Sequence, residues 1–299
     1  MMAHRLALAL CGATLALILV GGLVTNTGAA LAVPDWPTTF GHNMFLFPWS
    51  QMVGGILYEH SHRLLGAAVG LVTIALAAVL WLSERRRWLR WLGMAAVLAV
   101  SVQGVLGGLR VVFVEDAIAI VHGSLAQAFF GLAVCLALVT SRSWATAPVQ
   151  AADALRLRRL SLLTTVVAYL QIVFGAILTH FGARLDGHLA GAAALTILIP
   201  LLFVGVARGT GDRPELVRPV RALLTLLFLQ IFLGVGAYAG RFTDLVLPPY
   251  IGLAFPVAHR LTGGLLLAAS LVLTLRCHRL LVPPEARAPG RFLSREATA

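Results

Sequence analysis

Lysine is absent from this 299-residue chain, so its 23 basic residues are all arginine. Charge of either sign is scarce. Charged residues make up 12% of the composition, about half of the ~25% usual in soluble domains. Cysteine is nearly missing too. Cys11, Cys135 and Cys277 lie far apart, within or at the end of apolar runs. That spacing excludes a thiolate metal cluster and leaves no disulfide for the loops outside the apolar spans. The missing lysine reads as compositional bias and carries no function.

What remains is overwhelmingly apolar: 59% of residues are hydrophobic and the mean hydropathy is +0.90. Apolar stretches of about 20 residues recur along the chain, and each can cross the ~30 Å hydrocarbon layer of a bilayer. Backbone groups in lipid must pair within their own segment, which selects helices. The expected fold is therefore all-α and integral to the membrane. Its eight transmembrane helices lie at roughly 6–25, 56–82, 89–109, 117–140, 160–181, 187–207, 220–240 and 253–276. The first span resembles a signal peptide, with Arg5 ahead of an apolar run. It lacks a clear cleavage site and seven further spans follow, so it is read as a retained helix.

A net charge of +11 would suit nucleic acid, but the arginines are grouped between spans, and no nucleic-acid role is expected. Arg85, Arg86, Arg87 and Arg90 separate spans 2 and 3. Arg142, Arg156, Arg158 and Arg159 separate spans 4 and 5, and Arg208, Arg213, Arg218 and Arg221 separate spans 6 and 7. Arg276, Arg279, Arg287, Arg291 and Arg295 end the chain. The opposite loops carry only Arg110, Arg184 and Arg241, singly. The positive-inside rule then expects a cell (inner) membrane protein with both termini cytoplasmic.

The sequence also repeats itself. GGLVTNTG (Gly21–Gly28) matches GAILTHFG (Gly175–Gly182), and QGVLG (Gln103–Gly107) matches QIFLG (Gln230–Gly234). Each pair occupies the same place in a four-span unit. This predicts two pseudo-symmetric four-helix bundles in one orientation, residues 1–145 and 146–299. They differ most in the first exterior loop, about 26–55, which is long only in the first half. With Pro34, Pro37, Pro48, Trp36, Trp49 and several Phe, that loop is expected to pack over the first bundle or lie in the interface.

Four of nine histidines share a position: His62, His122, His188 and His259 each lie near the outer start of an even-numbered span. In the repeat His62 matches His188 and His122 matches His259, one pair per bundle. Polar groups at such depth are functional candidates by default. Two imidazoles from facing helices suit haem iron, whereas zinc wants three or four protein ligands. A histidine near a helix end can equally be a simple interfacial donor; the fourfold match is what favours ligation. Glu59 precedes His62 by three residues and so shares its helix face. It could move protons, bind an intermediate or orient the imidazole, or merely pair with Arg63 or cap the span. Asp186 does not reproduce its spacing in the second half. Arg63 and Arg260 each follow a histidine and could fork onto haem propionates or snorkel to the interface. Gly66, Gly123, Gly131, Gly191, Gly263 and Gly264 would admit a flat macrocycle or simply close helix packing. The roles of His60, His42 and His180 stay open; His4 and His278 read as bland.

These residues resemble the haem A synthase family of cytochrome oxidase assembly proteins. The resembling segments are VTNTGAALAVPDWPTTFG (Val24–Gly41), YEHSHRLLG (Tyr58–Gly66), VHGSLAQ (Val121–Gln127), GHLAGA (Gly187–Ala192) and AHRLTGG (Ala258–Gly264). The resemblance implies an oxidoreductase that converts haem O to haem A by successive hydroxylations of one ring methyl to a formyl group. It implies Glu59 as the catalytic carboxylate, His62 and His122 toward the substrate haem, and His188 and His259 toward a permanent haem b; Arg63 and Arg260, by the histidines they follow, are assigned to the substrate haem and to haem b respectively. Haem O synthase, cytochrome oxidase or its assembly factors, and membrane lipid are the implied partners; homo-oligomerisation is left open. The cysteine pair that many bacterial members carry in the first exterior loop is absent here, which leaves the electron route open. Two other readings fit the same residues: a di-haem b-type quinol-oxidising protein, and a haem transporter or chaperone.

Overall fold

The computed structural model describes residues 1–284; Arg287, Arg291 and Arg295 lie outside the described residues. Eight helices long and apolar enough to cross a membrane follow one another. They are α1 (Met2–Asn26), α2 (Gly54–Ser83), α3 (Arg87–Phe113), α4 (Asp116–Thr140), α5 (Ala154–Phe181), α6 (Leu185–Thr210), α7 (Pro214–Phe242) and α8 (Pro249–Leu280). The protein is a multi-pass, all-helical membrane protein, with every expected span in place. Each helix outruns its apolar core by a few residues, because the flanking polar residues continue the backbone hydrogen bonds beyond the hydrocarbon.

Helix neighbours follow chain order. α1 packs on α2 and α4, and α3 on the same two; α5 packs on α6 and α8, and α7 likewise. Across the middle, α4 touches α5 and α8, and α1 touches α8. α4 and α8 are consequently the innermost elements: each buries 56% of its apolar stretch, against 11% for α5 and α7. The apolar faces left outside meet lipid tails, which are as apolar as the side chains themselves.

Packing is uneven along the helices. The largest fully buried side chains include Leu10, Leu76, Leu89, Leu136, Leu157, Ile199, Leu216 and Leu273. All of these lie in the half of their helix nearest the arginine-rich connections. That end is further stitched by a short parallel pair, β1 (Val149–Gln150) with β2 (Leu281–Val282), and by Arg158 donating to the carbonyl of Leu281. The largest fully buried side chains stop short of the histidine-bearing end, where the buried apolar residues include Val24, Val33, Phe47, Ile120 and Val257.

The long loop (27–53) lies on the histidine-bearing end of α2 and α3. Val33, Ala29, Thr39 and Phe47 are buried there, and the indole of Trp36 lies flat on α3, where Gly108 has no Cβ to obstruct it. Its tip goes the other way: Phe45, Leu46, Trp49 and Val53 are exposed, as suits an interfacial anchor. Asp35 ties the turn by accepting from the Thr38 hydroxyl and from the amides of Phe40 (2.8 Å) and Gly41 (2.9 Å). Slight burial pushes its pKa up, but the Gly41 amide, the Thr38 hydroxyl and the Phe40 amide outweigh it and hold it at about 2.

Candidate functional site

The four histidines meet the same partner: a glycine on the preceding helix. A Cβ on Gly21 of α1 would lie 3.0 Å from Cε1 of His62, and one on Gly107 of α3 would lie 3.3 Å from that of His122. The corresponding distances are 3.1 Å from Gly175 of α5 to His188 and 2.9 Å from Gly234 of α7 to His259. These are the glycines that the internal repeat aligns. Each imidazole is seated edge-on against bare backbone, which any larger residue would obstruct.

The rings are oriented alike. Nδ1 of His259 shares a hydrogen bond with the carbonyl of Gln230, four residues before its glycine, at 3.1 Å. The carbonyls of Leu17, Gln103 and Gln171 occupy the same register before Gly21, Gly107 and Gly175. They act on His62, His122 and His188 without meeting hydrogen-bond geometry, and Nδ1 of those three rings is buried and unpaired. All four histidines are only partly buried; in His62, His122 and His188 the sealed nitrogen is Nδ1, leaving the Nε2 side free, whereas in His259 Nε2 meets the Gln230 amide. That is the orientation of a metal-ligating histidine whose other nitrogen faces a carbonyl.

The two pairs differ in closeness. The rings of His188 and His259 have centroids 6.2 Å apart at 64°. His62 and His122 lie within electrostatic reach of each other but form no such ring pair among the described residues. Gln230 donates its amide to Nε2 of His259 at 3.2 Å, and Gln171 donates to the carbonyl of His188 at 2.7 Å. These glutamines were not singled out from sequence. A signal was present: Gln-x-x-x-Gly recurs at Gln103–Gly107, Gln171–Gly175 and Gln230–Gly234. No group of three or more His, Cys, Asp or Glu able to hold a metal occurs among the described residues.

Glu59 is buried, and both of its oxygens are engaged: Oε2 accepts from the Val33 amide at 2.9 Å and Oε1 from Arg63 Nη2 at 2.8 Å. Arg63 donates further to the carbonyls of Asp35 (2.7 Å), Thr38 (3.0 Å) and Val33 (2.9 Å). The pair fastens the long loop to α2, and Arg63 is committed to that task. His60 joins it, with Nδ1 3.1 Å from the Thr39 hydroxyl and its ring on Phe47. His42 also packs on Phe47, edge to face, with ring centroids 6.0 Å apart. His180 of α5 faces Asp116 of α4 at 3.4 Å. His4 and His278 contact the carbonyls of Ala137 and Thr274 at the far end. Arg260 reaches from α8 to Thr25 of α1 at 3.2 Å. Arg110, read from sequence only as a topological marker, lies within electrostatic reach of Glu59, His62, His122 and Arg260.

The model of the cytochrome oxidase assembly protein (COX15-CtaA) family matches residues 4–187. The chain belongs to that family. Curated relatives called haem A synthase agree with it: 36% identity over 101 residues with the protein of Alkalihalophilus pseudofirmus, covering 33% of each chain, and 33% identity over 127 residues with that of Shouchella clausii, covering 41% of this chain and 40% of the relative. A third, from Bacillus pumilus, is 30% identical over 128 residues, again 41% of this chain and 40% of the relative. The chain thus aligns with about a third to two fifths of the length of the curated relatives it matches. The family match takes in Glu59, His62 and His122 and stops at Gly187. His188 and His259 therefore rest on the internal repeat and on their own geometry.

Proposed function

We propose that this member of the cytochrome oxidase assembly family is a haem A synthase. On this reading it oxidises a ring methyl of haem O to a formyl group by successive hydroxylations. The observation that carries the reading is the fourfold imidazole-on-glycine seat, two seats per group of four helices. It supports haem rather than a bare metal ion, since each pair offers two protein nitrogens and no group of three or more His, Cys, Asp or Glu side chains able to hold a metal ion occurs among the described residues. His188 and His259, whose ring centroids are 6.2 Å apart, are the residues that would hold a resident haem, and the group would supply redox chemistry there.

The proposed division of labour places a permanent haem b between His188 and His259 in the second half, residues 146–299. The substrate haem lies between His62 and His122 in the first half, residues 1–145. Bound haem supplies the redox chemistry; the protein supplies orientation and electrostatics. His62 and His122 fix the plane of the substrate from opposite helices, and Gly66 and Gly123, with no side chain meeting them, leave its faces clear. Glu59 stands on the helix face of His62, held by Arg63 and the Val33 amide. Its remaining lone pairs are available to take or return a proton as the methyl is oxidised. The loop carrying Trp36 and Phe47 covers this end and keeps bulk water off the first pair. Grouping of arginine at the opposite end supports an inner-membrane location with both termini cytoplasmic. Haem O synthase and the oxidase that receives haem A are the matching partners. An electron-transfer protein with two b haems would use the same four seats, and its distinguishing mark is that it changes no haem.

The test is pigment extraction after co-expression with haem O synthase in a host lacking its own haem A pathway, with reverse-phase chromatography and mass spectrometry. Formyl haem or its hydroxylated precursor from the wild type, blocked in Glu59→Ala, is the expected result. Haem b alone from both, with haem O available, would leave the electron-transfer reading in its place.

A further inference from the structure

Positive charge collects where the two groups of four helices meet at the histidine-bearing end. Arg110 sits in the last turn of α3, Arg260 in α8 and Arg241 in the last turn of α7. Arg260 lies within electrostatic reach of both of the others. Their hydrogen bonds are few: Arg260 donates to the Thr25 hydroxyl (3.2 Å), Arg241 to the Thr179 carbonyl (2.7 Å), and Arg110 has none among the described residues. None of the three forms an ion pair there. The two nearby carboxylates are otherwise engaged, since Glu59 is bound by Arg63 and Asp116 turns a 57% exposed side chain to His180.

Guanidinium does not surrender its proton, and an arginine within a membrane span is costly unless an anion or carbonyl meets it. A planar fork with several free donors is built for carboxylate or phosphate oxygens. Resting on the haem reading above, we propose that Arg110 and Arg260 form a carboxylate-binding seam that takes the propionates of the haems held by the two histidine pairs, with Arg241 reinforcing its charge. Arg260 spans from the second group of helices to Thr25 on α1, one turn beyond Gly21, the seat of His62, and Arg110 lies one turn beyond Gly107 on α3, the seat of His122. Haems held by the histidine pairs would present their carboxylates to this seam. This removes propionate binding from Arg63, whose donors are spent on the loop.

The same fork chemistry would accept a lipid phosphate, and the test separates the two sources. Purified protein is titrated with iron protoporphyrin IX and with its dimethyl ester, in nanodiscs of phosphatidylcholine and of phosphatidylglycerol, for the wild type, Arg110→Gln, Arg260→Gln and Arg260→Lys. Affinity is read from the Soret band. The expected result is that the wild type holds the free acid about tenfold to a hundredfold more tightly than the ester, the size of one or two charge-assisted hydrogen bonds. Each Gln variant loses most of that discrimination while its affinity for the ester stays unchanged, and Arg260→Lys retains part of it. Unchanged ester binding certifies that the variants fold. Equal binding of acid and ester by the wild type would overturn the proposal. So would discrimination that vanishes when anionic phosphatidylglycerol replaces zwitterionic phosphatidylcholine, which marks an anionic lipid headgroup as the occupant. A wild type showing no low-spin, bis-imidazole spectrum with either compound would overturn the haem reading itself, and this seam with it.

Discussion

The two groups of four helices share one device and dress it differently. In each, a histidine on the even helix rests on a glycine of the odd helix before it. Around the first pair, Gly66, Gly70, Gly104 and Gly123 have no neighbour where a Cβ would stand. Around the second, a Cβ on Gly191 would clash with Gln171, one on Gly263 would lie 3.3 Å from the Gln230 amide, and one on Gly187 would lie 2.9 Å from the Phe174 ring. The second pair is close-set, with Gln230 bonded to the His259 ring and Gln171 to the His188 backbone carbonyl; the first forms no such ring pair, has open space at its glycines, and is flanked by a loop pinned through Glu59 and Arg63. A tight site suits a group that stays, and an open, lidded one suits a group that enters, reacts and leaves. The contrast is independent of the family match, which ends at Gly187.

The largest expected effects come from the ligands. His62→Ala or His122→Ala should abolish formyl haem while leaving a bound b-type pigment. His188→Ala or His259→Ala should remove that pigment, read as the pyridine haemochrome per mole of purified protein. Symmetric losses from all four would erase the proposed contrast. Next is Arg63→Gln, which strips the loop of its anchor and leaves Glu59 buried without its cation. Breaking a buried pair in this way costs roughly 3–5 kcal/mol, and chymotrypsin should then cut within residues 27–53, at Phe40, Phe45 or Leu46. If the loop stays protected, Arg63 is not its anchor.

Smaller, graded effects should follow from alanine at the four seats. Overpacking of this kind costs about 1–3 kcal/mol. The order should follow the distances, with Gly234→Ala (2.9 Å) the most damaging and Gly107→Ala (3.3 Å) the least. Thermal unfolding in detergent and the position of the low-spin band would both register it; a flat response would mean that the rings shift freely.

The smallest effect concerns the loop turn. Asp35 is depressed from 3.8 to about 2 by its donors. Its contribution is complete above the unfolded value, near pH 4, and is lost as pH falls through about 2. Trp36 fluorescence should report a loosening of the turn across that interval, and Asp35→Asn should flatten the response. An unaltered acid transition in the variant would assign it to another group.

Much of this was legible in the residues. Hydropathy placed all eight spans, because a 20-residue apolar run has one stable solution in lipid. The repeat picked out Gly21 with Gly175 and Gly107 with Gly234 before any contact was visible. Arg63 could be read only as a candidate for either role, since its partners are backbone carbonyls 25 to 30 residues away, and carbonyls leave no mark in sequence. Arg110 was hidden for a related reason: a lone arginine after a span reads as topology until packing of α3 on α4 seats His122 on Gly107, one turn before it. The depth of His259 shifted too, because α8 begins at Pro249 and sets it in the third turn.

The most direct test is to extract the haems from His62→Ala and His259→Ala beside the wild type, after co-expression with haem O synthase, and identify them by mass. The account predicts haem b without formyl haem from the first variant and loss of the resident haem b from the second. Formyl haem from His62→Ala, or haem b retained at wild-type level by His259→Ala, would contradict it.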